Sequence, residues 1–204
     1  MANYNEAMDW ESMYQKNEFP WDHGEGCPGL DEWLKLNPNR MSGRILVPGC
    51  GRGHDVRLIA SRCPDAEVVG LDISPTAVEL ARAMDNPGNA EFAEGNFFDA
   101  NHSDHGTFDW IWEHTCFCAI PVEWRPQYVT ACNRFLNDSG QYLAIFYLNP
   151  ELDDDHQGPP FGCTNKEIDD LFGAYFVPGA PFPPARAYES RIGRESMRLM
   201  QKLP

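Results

Sequence analysis

The sequence of 204 residues has little positive charge. Sixteen lysines and arginines stand against thirty-one aspartates and glutamates, which gives a formal net charge of −15 at pH 7. A chain this acidic repels nucleic acid and anionic membrane surfaces unless a local basic patch overcomes the overall field. The sequence contains no such patch, so we expect neither a nucleic acid nor a membrane as partner.

Long apolar runs and paired cysteines are also missing. No stretch approaches the roughly 20 apolar residues that a membrane span needs, and the N-terminus has no basic start followed by an apolar run. The seven cysteines form no repeated Cys-x-x-Cys pair and no cysteine–histidine set at the spacing of metal ligands. We therefore expect reduced thiols, no bound metal and a cytoplasmic protein.

Length and apolar content indicate one domain. A chain of 204 residues with 42% hydrophobic residues can bury one sizeable core. We expect residues 1–204 to form a single domain, with 1–43 as an N-terminal helical lid and 44–204 as the core. The lid prediction depends on large apolar residues at near-helical spacing before a turn-rich loop, namely Met8, Trp10, Met13 and Tyr14.

From residue 44 onward, short apolar runs alternate with helix-like segments. The apolar runs predict strands at residues 44–47, 67–71, 91–93, 108–112 and 141–148. The helical patterns lie at residues 53–62, 75–84, 122–136 and 164–172. Turn formers at 158–162 and 178–184 predict ordered loops. This alternation predicts an α/β fold in which helices cover both faces of a doubly wound, parallel sheet.

The first predicted strand runs into a glycine-rich turn, and the second ends in an acidic residue. The turn contains Gly49, Gly51 and Gly53, and the acid is Asp72, followed by Ile73. Glycines at a strand-to-helix turn let the backbone approach a ligand, and the acidic side chain can accept both ribose hydroxyls of an adenosine. The pair predicts a nucleoside site. The spacing is GxGxG, whereas dinucleotide-binding folds use GxGxxG, so a nicotinamide cofactor fits less well.

Further candidate residues follow the third and fourth predicted strands. Asn96 and Phe97 offer an amide beside an aromatic ring, as an adenine contact needs, but Phe97 fits a core position equally well. Glu113 and His114 end the fourth strand, where open α/β sheets bind ligands. Either residue is a candidate for contact with the reacting centre. The alternative is a pair of satisfied polar residues at a strand end.

Three segments carry a family resemblance. They read LVPGCG at residues 46–51, FDWIWEHTCFCAI at 108–120 and GPPF at 158–161. Together they resemble the thiopurine S-methyltransferase family, and within it the plant-type thiol and halide methyltransferases, over nearly the whole chain. The resemblance implies a Rossmann-like class I methyltransferase with a mostly parallel, seven-stranded sheet. It also implies S-adenosyl-L-methionine as the cofactor and a small molecule as the methyl acceptor.

The resemblance further implies roles for individual residues. Aromatic side chains of the N-terminal segment would close over the methionine end of the cofactor, and a sulfonium cation is indeed attracted to aromatic faces. The glycine turn would line the cofactor, Asp72 would hold its ribose, and His114 would lie beside the sulfonium and the acceptor. The cofactor-binding residues implied in this chain are Trp10, Tyr14, Trp21, Gly49, Gly51, Asp72, Ile73, Asn96, Phe97 and His114.

The sequence departs from the plant-type pattern at three positions. Tyr14 stands where those enzymes carry a tryptophan, and Glu113-His114 stands where they carry aspartate followed by tyrosine. An imidazole can help to deprotonate a thiol where a phenol would not. We therefore predict methyl transfer to a thiol or hydrosulfide sulfur, with His114 and Glu113 as the catalytic residues.

Other acceptors and other classes of function stay open at this point. Halide or thiocyanate, thiopurine, and selenium or tellurium species are alternative acceptors, and Arg186, Arg191 or Arg194 could pair an anionic one. An NAD-dependent oxidoreductase and a non-catalytic module that binds S-adenosylmethionine are the alternatives from other classes. The oligomeric state is not fixed by the sequence, and a monomer is the default expectation.

Overall fold

The computed structural model describes residues 8–99, 105–150 and 158–204. Its α-helices are α1 (Trp10–Gln15), α2 (Pro28–Leu36), α3 (His54–Arg62), α4 (Pro75–Arg82), α5 (Arg125–Phe135) and α6 (Asn165–Phe172). Its strands are β1 (Arg44–Pro48), β2 (Glu67–Asp72), β3 (Ala90–Glu94), β4 (Phe108–His114), β5 (Leu136–Tyr147), β6 (Phe176–Pro178) and β7 (Glu195–Lys202). Short 3-10 helices lie at Val122–Trp124 and Glu189–Arg191.

All seven strands form one sheet, in the order β3-β2-β1-β4-β5-β7-β6. The pairs from β3 to β5 are parallel, and β7 runs antiparallel to both β5 and β6. The chain order reverses at β1, which is bordered by β2 on one side and β4 on the other. This topology confirms the predicted α/β fold with a mostly parallel, seven-stranded sheet. It also creates a switch point at β1, where sheets of this kind bind ligands.

Two apolar layers cover the two faces of the sheet. Because successive strand residues point to opposite faces, Ile45 lies in the layer that contains residues of α2, α3 and α4, whereas Leu46 lies in the layer that contains residues of α5 and α6. Trp110 and Ile111 of β4 alternate in the same way. Strands that are apolar on both faces therefore read as continuous apolar runs in the sequence.

The predicted elements from residue 44 to 172 are all present, with most ends within two residues of the prediction. The helix predicted from residue 164 is capped as expected, since the Thr164 hydroxyl accepts a bond from the backbone N–H of Glu167 at 3.1 Å. The loop prediction for residues 178–184 was wrong at its first residue, because Pro178 is the end of β6 and pairs with Met200. A proline is tolerated there because β6 is an edge strand.

No pattern in the sequence predicts β7. Its buried positions include the polar side chains of Ser196 and Arg198, so it lacks an apolar pattern. The Arg198 guanidinium is paired instead, because its Nη1 donates to Asp169 Oδ1 at 2.8 Å and to the Gly179 carbonyl at 2.7 Å. Such a strand can be recognised only in the tertiary structure, which brings the hydrogen-bond partners of its polar residues together.

The first part of the chain is divided between the core and the edge of the sheet. Helix α2 packs into the core through Leu30 and Trp33, although it falls within the predicted lid. Residues 1–7 of that lid lie outside the described residues, and the action of 1–43 as a lid stays a prediction. All seven cysteines are free thiols. Within the described ranges, no helix is long and apolar enough to cross a membrane.

Candidate active site

The carboxyl ends of β1, β2 and β4 lie at the same edge of the sheet, because parallel strands run in one direction. The glycine turn follows β1 directly. Gly49, Gly51 and Gly53 have φ angles of 60°, 53° and 76°. These values fall in the left-handed region that residues with a Cβ atom rarely adopt. The turn therefore depends on glycine for its backbone shape.

Asp72, at the end of β2, holds this turn. Its Oδ2 accepts a bond from the backbone N–H of Gly51 at 2.7 Å, and its Oδ1 accepts one from the backbone N–H of Ser74 at 2.9 Å. Burial raises the pKa of Asp72, while the N–H groups of Ser74 and Gly51 act in the opposite direction by stabilising the charged form. Asp72 therefore places a buried carboxylate directly beside the backbone of the glycine turn.

The glycine turn has side chains packed closely against it. A Cβ atom at Gly51 would lie 2.7 Å from the hydroxyl oxygen of Tyr14. A Cβ atom at Gly49 would lie 2.9 Å from Sγ of Cys116. A larger residue at Gly51 would therefore meet the N-terminal segment, and one at Gly49 would meet the loop after β4.

Aromatic side chains of the N-terminal segment gather above this turn. The rings of Trp10 and Trp21 meet edge to face with centroids 5.2 Å apart, and the ring of Tyr14 lies 5.8 Å from that of Trp21. Trp21 Nε1 donates to the Tyr14 hydroxyl oxygen at 3.4 Å. Burial and the nearby charge of Asp72 raise the pKa of Tyr14. The three aromatic residues implied by the family resemblance are thus brought together by the fold.

Helix α1, which carries two of these aromatic residues, is fastened to the start of α4 by Glu11. The Glu11 carboxylate accepts bonds from the Ser74 hydroxyl at 2.5 Å, the Thr76 hydroxyl at 2.6 Å and the Thr76 backbone N–H at 3.1 Å. Burial alone would raise the pKa of Glu11, but these hydrogen bonds outweigh burial and lower it to about 2. We call this contact the Glu11 clamp.

The residues predicted to contact adenine lie in different surroundings. The Phe97 ring is buried and stacks on Phe135 at a centroid distance of 5.2 Å, so Phe97 occupies the core position that the sequence left open. Asn96 is partly exposed, and its Oδ1 accepts a bond from the Phe98 backbone N–H at 3.0 Å. Ile73 is 37% exposed beside Asp72. Asn96 and Ile73 are therefore predicted cofactor-binding residues with accessible side chains.

Glu113 and His114 point to opposite faces of β4, as neighbours in a strand must. Glu113 is 1% exposed and accepts bonds from the Phe117 backbone N–H at 2.8 Å and from the Tyr128 hydroxyl. Burial raises the pKa of Glu113 to about 7. These contacts tie the loop after β4 to α5. Glu113 thus has contacts that stabilise the fold, and its catalytic role stays a prediction.

His114 lies on the other face and meets Asp55 in the first turn of α3. His114 Nδ1 is 3.2 Å from Asp55 Oδ2, which also accepts a bond from Trp112 Nε1 at 2.8 Å. Asp55 Oδ1 accepts a bond from the backbone N–H of Cys27 at 2.6 Å. The imidazole is therefore backed by a carboxylate that is itself fixed from two other sides.

Residues near the C-terminus complete the surroundings of His114. The Tyr188 ring stacks on the ring of His23 with centroids 3.8 Å apart and faces the ring of His114 at 6.2 Å. Arg191 Nη1 lies 3.5 Å from His114 Nε2 and 3.3 Å from Glu195 Oε1. One of the three arginines considered from the sequence thus lies beside the predicted reacting centre.

Asp55 and Tyr188 are the residues of this cluster that the sequence analysis missed. Asp55 directly follows His54 after the glycine turn, but no local pattern indicates contact with a residue 59 positions later. Tyr188 comes after a proline-rich stretch with no regular period. Among the described residues, no group of three or more histidine, cysteine, aspartate or glutamate side chains could hold a metal ion.

The chain is similar in sequence to known methyltransferases. The family described as thiopurine S-methyltransferase matches residues 5–178. A probable thiol methyltransferase 2 of Arabidopsis thaliana is 33% identical over 173 residues, which is 83% of this chain and 73% of that protein. A thiocyanate methyltransferase 1 of Brassica oleracea is 31% identical over 209 residues, which is 97% of this chain and 86% of that protein.

A solved structure supports the fold. It is the 1,6-didemethyltoxoflavin-N1-methyltransferase of Burkholderia thailandensis, with its substrate and S-adenosylhomocysteine bound. Its TM-score is 0.70 at 18% sequence identity, and the match covers 95% of this chain and 85% of that one. The likeness extends over nearly the whole chain at low identity, so it confirms the class I methyltransferase architecture.

The edge of the sheet fits S-adenosylmethionine in three respects. Gly49 and Gly51 have no side chain, and a Cβ atom at either position would fill the space beside the turn. The Asp72 carboxylate lies beside that backbone, as a ribose requires, and the rings of Trp10 and Trp21 suit a sulfonium cation. These features and the family match over residues 5–178 agree. The chain belongs to the thiopurine S-methyltransferase family and is an S-adenosylmethionine-dependent methyltransferase.

Proposed function

We propose that this methyltransferase methylates the sulfur of a small thiol or of hydrosulfide, and that His114 assists ionisation of the acceptor. The observation that carries the proposal is the setting of His114. It ends β4 at the edge of the sheet near the glycine turn, with its Nδ1 against the Asp55 carboxylate and its Nε2 towards Arg191. An imidazole held in this way can accept a proton at Nε2.

The cofactor half of the proposed site consists of residues around the ends of β1, β2 and β3. We assign the ribose to Asp72, the backbone contact to Gly49 and Gly51, and the adenine edge to Asn96 and Ile73. The aromatic cluster of α1 and the following loop would cover the sulfonium. When bound, S-adenosylmethionine supplies an electrophilic methyl group.

In the acceptor half, the protein has two tasks. An alkyl thiol has a pKa near ~8.5, so it is only partly ionised at neutral pH, and a nearby base increases the thiolate fraction. His114 would accept the thiol proton at Nε2. The second task is to hold the sulfur in line and exclude water, and such positioning can contribute up to roughly 7–11 kcal/mol. The Tyr188 ring and the loop after β4 suit this second task.

The role of Glu113 in this proposal is to support the site. It binds the Phe117 backbone N–H and the Tyr128 hydroxyl, so it holds the loop that follows His114. The carboxylate is buried on the opposite face of β4 from the imidazole. We therefore assign proton transfer to His114 and loop placement to Glu113.

A second acceptor class is favoured by Arg191. This guanidinium is 8% exposed and lies beside His114, and its charge would attract an anion such as thiocyanate or a halide. Anions of this kind need no base. Thiopurine and selenium or tellurium acceptors stay as further alternatives. The monomeric state, the cytoplasmic location and the lack of a nucleic-acid partner also stay predictions.

The first experiment is methyl transfer from labelled S-adenosylmethionine to a panel of acceptors. The panel contains hydrosulfide, alkyl and aryl thiols, thiocyanate, iodide, a thiopurine and selenite, with a catechol as the oxygen control. The proposal expects the highest kcat/KM for thiols or hydrosulfide. Turnover of the catechol alone would overturn it, and cofactor binding without turnover of any acceptor would favour a non-catalytic module.

The role of His114 is tested by His114→Gln, with His105→Gln as a matched control away from the site. The proposal expects His114→Gln to remove the acidic limb of the pH–rate profile with an alkyl thiol, because that limb reports protonation of the base. His105→Gln should leave the profile unchanged. An unchanged profile in His114→Gln would exclude the base role.

A further inference from the structure

We infer that Asp55 is a positioning residue that fixes the proton of neutral His114 on Nδ1 and so places the proton-accepting lone pair on Nε2, on the side of Arg191. The inference rests on the proposed function to the extent that it places the acceptor beside His114. Its support comes from the donors that surround the Asp55 carboxylate.

Both oxygens of Asp55 are occupied by groups that can only donate. Oδ1 accepts from the Cys27 backbone N–H at 2.6 Å, and Oδ2 accepts from Trp112 Nε1 at 2.8 Å. A backbone N–H and an indole N–H have no acceptor capacity. The hydrogen bonds from His114, Cys27 and Trp112 lower the pKa of Asp55 against the opposing effect of burial. The carboxylate is therefore ionised, and His114 Nδ1 must bring the proton to the bond it makes at 3.2 Å.

The opposite nitrogen of His114 faces a group that also donates. Arg191 Nη1 lies 3.5 Å from His114 Nε2, and a guanidinium has no acceptor. A proton on Nε2 would oppose that donor, whereas a lone pair there is compatible with it. The two sides of the imidazole therefore favour the same tautomer independently.

The charge state of His114 depends on groups from every element around it. Burial lowers its pKa, but the Cys27 thiol, which hydrogen-bonds to the imidazole, and the Asp55 carboxylate raise it well above its ordinary value. Arg191 and His23 lie on the remaining sides. At neutral pH the imidazole is therefore protonated, and the neutral form that accepts a proton is reached only at higher pH, so the acidic limb of the wild-type pH–rate profile lies above the ordinary range of histidine. Loss of the Asp55 charge would lower the pKa of His114 and move that limb to lower pH.

A purely structural role for Asp55 is the competing explanation. Through Cys27 and Trp112 the carboxylate joins the start of α2 to β4, so its loss could simply loosen the fold. General loosening would reduce turnover of all acceptors by a similar factor. Loss of a positioned base would affect only those acceptors that need deprotonation.

The test compares wild type, Asp55→Leu and Trp112→Phe with an alkyl thiol and with an aryl thiol that is already ionised at neutral pH. A leucine at 55 has nearly the shape of aspartate but no oxygen, so no acceptor holds the proton of His114 on Nδ1. We expect Asp55→Leu to lower kcat/KM for the alkyl thiol about 100-fold and to leave the aryl thiol nearly unaffected. Trp112→Phe keeps the bond from His114 and should affect both thiols alike.

A second readout does not depend on activity. In the complex with S-adenosylhomocysteine, ¹⁵N spectra of histidine-labelled protein report which ring nitrogen carries the proton, and His114→Gln assigns the signal. In spectra recorded above the pKa of His114, we expect the neutral imidazole to carry the proton on Nδ1 in the wild type and to lose this preference in Asp55→Leu. A wild-type proton on Nε2, or an equal loss for both thiols in Asp55→Leu, would overturn the inference. The wild-type spectrum decides even if Asp55→Leu does not fold.

The two proposals can fail separately. If the wild type methylates no thiol, the proposed function is wrong, but the ¹⁵N spectrum still shows whether Asp55 fixes the tautomer. If thiols are methylated and the spectrum shows the proton on Nε2, the function stands and the role of Asp55 is wrong.

Discussion

The two halves of the proposed active site are assembled in different ways. In the cofactor half, Asp72 binds the backbone N–H groups of Ser74 and Gly51, which lie 2 and 21 residues away. In the acceptor half, His114 meets Asp55 and Arg191, which lie 59 and 77 residues away. The first half depends on backbone shape and the second on side chains from distant segments. The two halves should therefore respond separately to substitution.

The largest expected effect is at Gly53 in the cofactor half. Gly53→Ala places a Cβ atom 2.2 Å from the Phe92 ring at a φ of 76°, and Gly53 is also the residue before α3. Gly24→Ala is the matched control, since Gly24 has a φ of 74° and nothing within 4 Å of the new atom. Left-handed strain alone costs about 1–2 kcal/mol, and the clash adds about 1–3 kcal/mol. Urea unfolding that gave equal losses for both variants would show that the contact with Phe92 is unimportant.

The next effect is the pH dependence of stability that Glu113 causes on its own face of β4. Because the pKa of Glu113 is raised from 4.5 to about 7, the folded state favours its neutral form, and the free energy of unfolding should fall as the pH rises from 4.5 through 7. The shift corresponds to about 3 kcal/mol. Glu113→Gln is neutral at every pH and should remove this fall. Unfolding curves of both proteins between pH 5 and 8 check this, and parallel pH profiles would contradict it.

A smaller effect tests whether a substitution can weaken cofactor binding without changing the surroundings of His114. Asp72→Asn can accept only one of the two bonds from Gly51 and Ser74, so one buried donor loses its partner. The neutral amide also loses one charge-assisted bond that Asp72 would make to the ribose, and a loss of about 1.5–3 kcal/mol should weaken S-adenosylhomocysteine binding by roughly 10-fold to 150-fold. Calorimetry measures the affinity. The ¹⁵N signals of His114 should not change, and a changed tautomer would show that the halves are coupled.

The smallest effect concerns the Glu11 clamp. Glu11→Gln weakens the bonds to Ser74 and Thr76 that hold α1 in place. A loss of about 1 kcal/mol predicts roughly fivefold weaker cofactor binding, with Glu18→Gln on the exposed surface as the control. Since the pKa of Glu11 is lowered to about 2, the clamp is fully present above pH 4.5 and is lost as the pH falls towards 2. Equal affinities of the two variants would exclude a role for the clamp.

The parts of the fold that could be predicted share one property. The strands and helices from residue 44 to 172 carry an apolar pattern along a continuous segment, and the glycine turn with Asp72 forms a motif within about 25 residues. β7 could not be predicted in the same way, because its buried Ser196 and Arg198 are stabilised by partners from α6 and from the loop before β7. Phe97 was left open because a buried aromatic ring and a ligand contact have the same local sequence.

The residue pattern by itself therefore determined the fold class, a nucleoside site and the place of His114 at the end of a strand, while the family resemblance implied the cofactor. These features depend on local periodicity, on backbone conformations that only glycine allows, and on the alternation of strands and helices. Only the tertiary structure decided which groups surround His114. Asp55 and Arg191 reach it from α3 and from the turn before β7. Hydrogen bonds between segments so far apart leave no periodic trace in the chain, because they form only when the sheet brings those segments to the same edge.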